Sequence, residues 1–153
     1  MTVLDDADKR LLRLVQEDAS LSLDEIARRT AMSTNTAWRR LKRLEDEGVL
    51  LRRVALVDPA RVGAGVTVFV AVRTNDHSDE WLEGFARAVR TIPEVVEFYR
   101  MAGETDYLLK LAVASIADYD RVYRKLIRSA KLHDVSSTFA METIKYTTAV
   151  PVL

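Results

Sequence analysis

Between Glu25 and Glu45 the chain has no acidic residue, yet Arg28, Arg29, Arg39, Arg40, Lys42 and Arg43 all fall there. On a helix turning about 100° per residue, Ala37, Leu41 and Leu44 share one face. The opposite face carries Asn35, Thr36, Arg39, Lys42 and Arg43, with Trp38 and Arg40 on its flanks. Every residue of that polar face can donate a hydrogen bond to a base edge or a phosphate, and the Arg39 fork suits a guanine edge. A merely solvated helix offers cations too, but it mixes in Asp and Glu, which here are delayed to Glu45, Asp46 and Glu47. These types and spacings point to double-stranded DNA as partner, with Ser33, Thr34, Asn35, Thr36, Arg39, Arg40, Lys42 and Arg43 as the contacting residues. Trp38, on the flank, reads as an edge-of-core residue in preference to a DNA contact. The formal net charge of zero, 23 Lys and Arg against 23 Asp and Glu, hides this local surface, because placement counts for more than the sum.

Other chemistry is poorly supported. His77 and His133 stand alone in their segments and read as exposed loop histidines. No phosphate-binding glycine loop and no Gly-x-Ser-x-Gly elbow occurs. Glu104 and Asp106 flank a turn, where capping or holding a ligand fits better than proton transfer. The chain reads as a non-enzyme that needs no cofactor. Its lack of cysteine removes disulfides, thiolate metal sites and thiol redox sensing. No apolar run approaches the ~20 residues of a membrane span, and Met1 to Asp6 lacks the layout of a signal peptide. The expected address is the cytoplasm, at the nucleoid, with no membrane partner.

The DNA-facing residues need a scaffold, and the first 50 positions read as three short helices. Asp5 caps the first, whose buried face is Ala7, Leu11, Leu14 and Val15. Ser22-Leu23-Asp24-Glu25 reads as a capping box with Leu21 and Ile26 as its hydrophobic staple, opening a helix to about Thr30. After Ala31-Met32, Ser33 caps the third helix, which runs to Glu47 and stops at Gly48. Two helices joined by a short turn, the second basic, give a helix-turn-helix over about 22–41, with its recognition helix over about 33–47. Val49 to Val57 reads as an extended link, and Asp58-Pro59 and Gly63-Ala64-Gly65 are breakers at a boundary. The expected domains are therefore 1–62 and 63–153.

The second half alternates strands and amphipathic helices. Val66 to Arg73 reads as a strand, and a helix carrying Leu82, Phe85, Ala86 and Val89 ends before Pro93. Val95 to Met101 and Tyr107 to Val113 are strands around a turn at 102–106. Ile116 to Ile127 supplies the second helix, and Val135 to Lys145 the last strand. This βαββαβ order is that of a ferredoxin-like sandwich, with helices on one sheet face. The other face, still apolar, calls for cover by the same sheet of a second subunit.

Several stretches resemble the Lrp/AsnC ("feast/famine") transcription regulators: Leu4-Asp5-x-x-Asp8, Ile26-Ala27, Trp38 to Glu45, Gly48-Val49, Pro93-Glu94-Val95, Gly103-x-x-Asp106-Tyr107 and Lys145 to Thr148. Met101 to Leu108 and Phe139 to Thr148 resemble most the cysteine-responsive, cysteine-detoxification subgroup. The resemblance implies an α+β chain, an N-terminal winged-type helix-turn-helix followed by the ferredoxin-like βαββαβ sandwich. It implies a homo-oligomer, a dimer assembled further into a tetramer of dimers. It also implies a small amino-acid effector, cysteine first, held by Met101, Gly103, Glu104, Thr105 and Asp106 with Ser136, Ser137 and Thr138. The chain departs from the family at Ala130-Lys131, where relatives have Pro-Gly, and at Arg52-Arg53, where they have Gly-Tyr and where added phosphate contacts are expected.

Overall fold

Each helix begins where a side chain can close its free N–H groups. The computed structural model describes residues 3–153; Met1 and Thr2, part of the stretch read for a leader, lie outside the described residues. Helix α1 (Asp6–Glu17) opens on a capping box. The Asp5 carboxylate accepts from the Asp8 N–H at 2.8 Å, and the Asp8 carboxylate accepts from the Asp5 N–H at 3.3 Å. Helix α2 (Leu23–Arg29) is capped by Ser22, whose hydroxyl accepts from the Glu25 N–H. The expected second half of that box does not form, because the Glu25 carboxylate turns to Arg28 and Arg29 at 2.7 and 3.1 Å. Helix α3 (Thr34–Asp46) is capped by Ser33 and ends before Gly48, whose φ of +70° is left-handed, as a residue just past a helix end requires.

The chain divides into two units. One runs to Leu56 and takes in Ile144–Leu153; the other is Val57–Thr143. In the first, α1, α2 and α3 pack Leu11, Val15, Ile26, Ala27, Ala37 and Leu41 into a small core. The returning C-terminal segment is tied to α1: the Val150 N–H donates to the Gln16 side chain at 2.8 Å, and Arg13 donates to the Val152 carbonyl. Residues 49–57 form no regular strand.

The second unit is a four-stranded antiparallel sheet in the order β2-β3-β1-β4, built from β1 (Val66–Arg73), β2 (Val95–Arg100), β3 (Tyr107–Val113) and β4 (Asp134–Phe139). Helices α4 (Asp79–Arg90) and α5 (Ile116–Ser129) cover one face. Period-two alternation sends Val68, Val70 and Val72 of β1, and Tyr107, Leu109, Leu111 and Val113 of β3, into that core. Phe85 of α4 packs there against Trp81, Phe98 and Tyr107. The last strand is shorter than expected. Its ladder with β1 closes at Val68↔Phe139, Ala140 makes one more backbone bond to Thr67, and 141–148 are exposed without alternating burial. β1 itself runs on to Val66, paired with Val113 on its other side, but the chain leaves the sheet and from Ile144 belongs to the first unit.

One polar feature fixes how α1 meets α3. Asp8, whose side chain is only 1% exposed, receives Arg43 at 2.6 Å and Arg40 at 2.8 Å, and Arg40 also reaches Asp5 at 2.7 Å. Burial, the largest single influence, pushes the Asp8 carboxyl up, but the bonds from Arg43, Arg40 and the Asp5 backbone hold it below its ordinary value on balance. A carboxyl lowered in the fold contributes stability at higher pH, and that contribution is lost as pH falls through the folded-state value. Asp8→Asn keeps the shape and loses the charge. We predict about 2–4 kcal/mol of lost stability at neutral pH, and a smaller acid-induced fall in melting temperature below the ordinary aspartate value of 3.8. Melting curves followed by circular dichroism across that range check both.

Candidate functional site

Helix α3 presents its outward face through its own packing. With Ala37, Leu41 and Leu44 buried, the opposite side must face away from α1 and α2. The first turn of α3 itself holds no acid, and the carboxylate nearest the positive end of its dipole is Asp24 of α2. The expected contact residues differ in what they already bind. Ser33 and Thr36 are joined by the cap, with Ser33 donating to the Thr36 hydroxyl at 2.8 Å. Thr34 donates to Asp24 of α2 at 2.8 Å. Lys42 pairs with Asp46 at 2.7 Å, which raises its pKa. Arg40 and Arg43 are turned toward α1 by Asp5 and Asp8, and so are not the free cations that the helical projection suggests.

Asn35 and Arg39 remain. Both are exposed, and neither has a side-chain hydrogen bond or ion pair among the described residues. They stand four residues apart, hence side by side on one face. An amide and a guanidinium in that position have their full donor sets available, the chemistry that reads adenine and guanine edges in a major groove. Trp38 lies beside them and is 55% exposed, so it is not the edge-of-core residue expected. A flat apolar ring on this surface can meet a thymine methyl or a sugar. Of the Arg52-Arg53 pair, Arg53 lies 3.7 Å from Glu45, so the added phosphate contact expected of it has a competitor inside the unit.

The expected effector residues fall into two groups. Met101, Gly103, Glu104, Thr105 and Asp106 form the β2–β3 turn. Gly103 takes φ +126°, a conformation that resists any side chain, and the space where a Cβ would sit is open. The Asp106 main chain closes the turn, accepting from the Met101 N–H at 2.8 Å and donating to the Val72 carbonyl. Its carboxylate accepts the Thr74 N–H at 2.8 Å, so Asp106 does cap local structure, using one of its two oxygens. Ser136, Ser137 and Thr138 lie on β4, and β1 runs between β4 and β3. Within one subunit the turn and the three hydroxyls are therefore not brought together. Nor do the hydroxyls share a face. Ser137 points into the helix-covered side, against the Tyr119 hydroxyl of α5, whereas Ser136 and Thr138 are exposed on the open side. Period-two alternation with Val135 and Phe139 carries this information in the sequence. Beside the expected Pro-Gly departure, the Lys131 carbonyl accepts from the Trp81 indole N–H at 3.2 Å.

His77 and His133 are both exposed, and among the described residues no group of His, Cys, Asp or Glu is placed to hold a metal ion. No helix among the described residues is long and apolar enough to cross a membrane.

Comparison with known proteins agrees with both units. Residues 4–50 match the winged helix-turn-helix DNA-binding family, and residues 67–150 match the Lrp/AsnC ligand binding domain. The glutamate uptake regulatory protein of Zymomonas mobilis is 50% identical over 97% of this chain and 90% of its own length. The DNA-binding transcriptional activator DecR of Escherichia coli is 48% identical over 98% of this chain and 99% of its own. Among solved structures, an AsnC family transcriptional regulator from Agrobacterium tumefaciens superposes with a TM-score of 0.94 at 50% identity, covering 97% of both chains. The transcriptional regulator NMB0573 of Neisseria meningitidis, solved as a complex with L-Met, gives 0.91 at 33% identity, again over 97% of both chains. These relatives are transcription regulators, not enzymes, and with a winged helix-turn-helix in one unit and the ligand binding domain in the other, this chain belongs to the Lrp/AsnC family of DNA-binding transcription regulators.

Proposed function

We propose that this regulator reads its operator through Asn35 and Arg39 and adjusts its occupancy to a small free amino acid, cysteine being the first candidate. The observation that carries the DNA half is the pair of unengaged, neighbouring side chains on the outward face of α3. Ser33, Thr34, Thr36 and Lys42 border that pair and serve the phosphate backbone. Arg40 and Arg43 contribute charge from the α1 side. On this reading the protein works in the cytoplasm, at the nucleoid.

Two features support the amino-acid half. Gly103 lets a ligand approach the backbone closely, and the second Asp106 oxygen is left to receive an ammonium group. Cysteine leads because Met101 to Leu108 and Phe139 to Thr148 resemble the cysteine-responsive subgroup. The relatives also bring glutamate and methionine into the comparison, one through its name and one through its bound ligand. As the chain has no cysteine of its own, a cysteine response must be binding and not thiol exchange.

Self-association is part of the same proposal. The open sheet face carries Phe69 and Tyr99, both exposed, around a polar cluster in which Glu97 accepts from Lys110 at 2.8 Å and from Tyr99 at 2.7 Å. A second copy of the sheet is the cover that suits this mixture, and a tetramer of dimers is the larger assembly. Subunit contact also supplies what one subunit lacks, a way to bring the Gly103 turn near Ser136 and Thr138.

Two outcomes are predicted. Arg39→Ala costs roughly 1–3 kcal/mol of operator affinity and relaxes preference at one base position, read by fluorescence anisotropy on duplexes selected from a random pool; unchanged affinity and preference sink the assignment of Arg39. In calorimetry against cysteine, serine, glutamate and methionine, one amino acid binds, and Asp106→Asn, which keeps an acceptor for Thr74, weakens it at least about tenfold, as loss of a charge-assisted bond should. Equal affinity in the variant places the ammonium group elsewhere.

A further inference from the structure

Asp5 and Asp8 both face Arg40, but they are not equivalent. Asp8 is buried and held by two arginines, whereas the Asp5 side chain is 55% exposed and touches a single Arg40 nitrogen. Together with Val3, Arg39 and Arg43 they line a concavity of about 310 Å³ on the flank of the reading surface. That volume admits a phosphate group. Arg40 and Arg43 are paired with these carboxylates, and Arg43 also lies 3.8 Å from Glu47, so among the described residues the cation the concavity leaves without a carboxylate partner is Arg39. A phosphodiester oxygen offers an arginine fork the same charge and acceptor geometry as a carboxylate. Asp5 therefore sits where a phosphate would sit.

We infer that Asp5 is an internal competitor for the DNA backbone. In the free protein it occupies the outer side of Arg40. On docking, a backbone phosphate takes that place, while Asp8 goes on holding the guanidinium from beneath. Phosphate contacts are the same on every sequence, so a carboxylate that opposes one of them lowers binding to all DNA alike. It leaves the base-edge contacts of Asn35 and Arg39 to decide where the protein stays. Asp5 is on this account a positioning residue that sets the affinity for DNA of any sequence, in addition to its part in capping α1. The inference rests on α3 being the DNA-facing helix.

The test is Asp5→Asn, since asparagine caps a helix as well as aspartate and keeps an acceptor for the Asp8 N–H. Anisotropy of full-length protein with a labelled random-sequence duplex is followed from about 50 to 200 mM salt. The expected result is binding roughly two- to fivefold tighter at the low end, with a log–log salt slope steeper by up to about 0.9, one phosphate contact. The gain should vanish when Arg40→Gln is added. Affinity and slope equal to wild type overturn the inference, as does a gain that persists without Arg40. A purely structural role for Asp5 would change the melting temperature and leave the slope alone. If Asp5→Asn does not fold, Arg40→Gln alone decides: a shallower slope supports the exchange, and an unchanged slope overturns it. Wild-type protein that binds no duplex at all would defeat the DNA reading itself, a different outcome from wild type that binds while Asp5→Asn changes nothing.

Discussion

The buried carboxylate of Asp8 is the constraint from which the DNA-binding unit follows. It occupies the third position of α1, so the same group that closes the start of that helix also receives Arg40 and Arg43 from α3. A small three-helix core offers limited apolar area to fix the angle of a helix. Charge-assisted bonds from two successive turns of α3 add direction where apolar contact adds only proximity. The cost is that two of the basic residues nearest the outward face of α3 are partly engaged. The benefit is that the remaining polar face is held rigidly, with Asn35 and Arg39 turned outward and unengaged.

The effector unit obeys a different rule, the two-residue period of its strands. On β1 and β3 that period buries one face completely under α4 and α5; the other face, continued on β2, is half-exposed, with Phe69, Tyr99 and a Glu97–Lys110 ion pair. An apolar surface interrupted by a satisfied polar cluster suits association with one register and not with many. The same period divides β4, placing Ser137 beneath α5 and Ser136 and Thr138 on the open side. A ligand that uses the open hydroxyls and the Gly103 turn needs both groups brought together, and β1 lies between them in a single subunit.

Much of this was legible in the sequence because it is local. Asp5, Ser22 and Ser33 announce their helices by residue type, Gly48 announces an end, and the alternation from Val66 to Arg73 shows a strand with one buried side. What was not legible depends on separation along the chain. Nothing near Arg40 or Arg43 reveals that a carboxylate more than 30 residues earlier will hold them, so a helical projection counts both as free. Glu25 was expected to complete a capping box, but two arginines on the next turn offered it charged donors in place of one backbone N–H. β4 ends because the chain leaves the sheet for the first unit, which local propensity around Met141 does not record. Trp38 is exposed, because a flank position on a wheel does not say whether a neighbouring helix reaches it. The side that Ser137 faces is legible in the sequence, as Val135 and Phe139 on either side share its phase.

The central claim is that α3 of the winged unit is where this protein meets DNA. Hydrogen–deuterium exchange of the full chain, with and without a duplex selected from a random pool, tests it most directly. Peptides from the second and third helices, spanning 22–46, are predicted to exchange more slowly in the complex, together with the start of α1 around Asp5. Slower exchange confined to 66–139, with 22–46 unchanged while DNA is bound, would contradict the account.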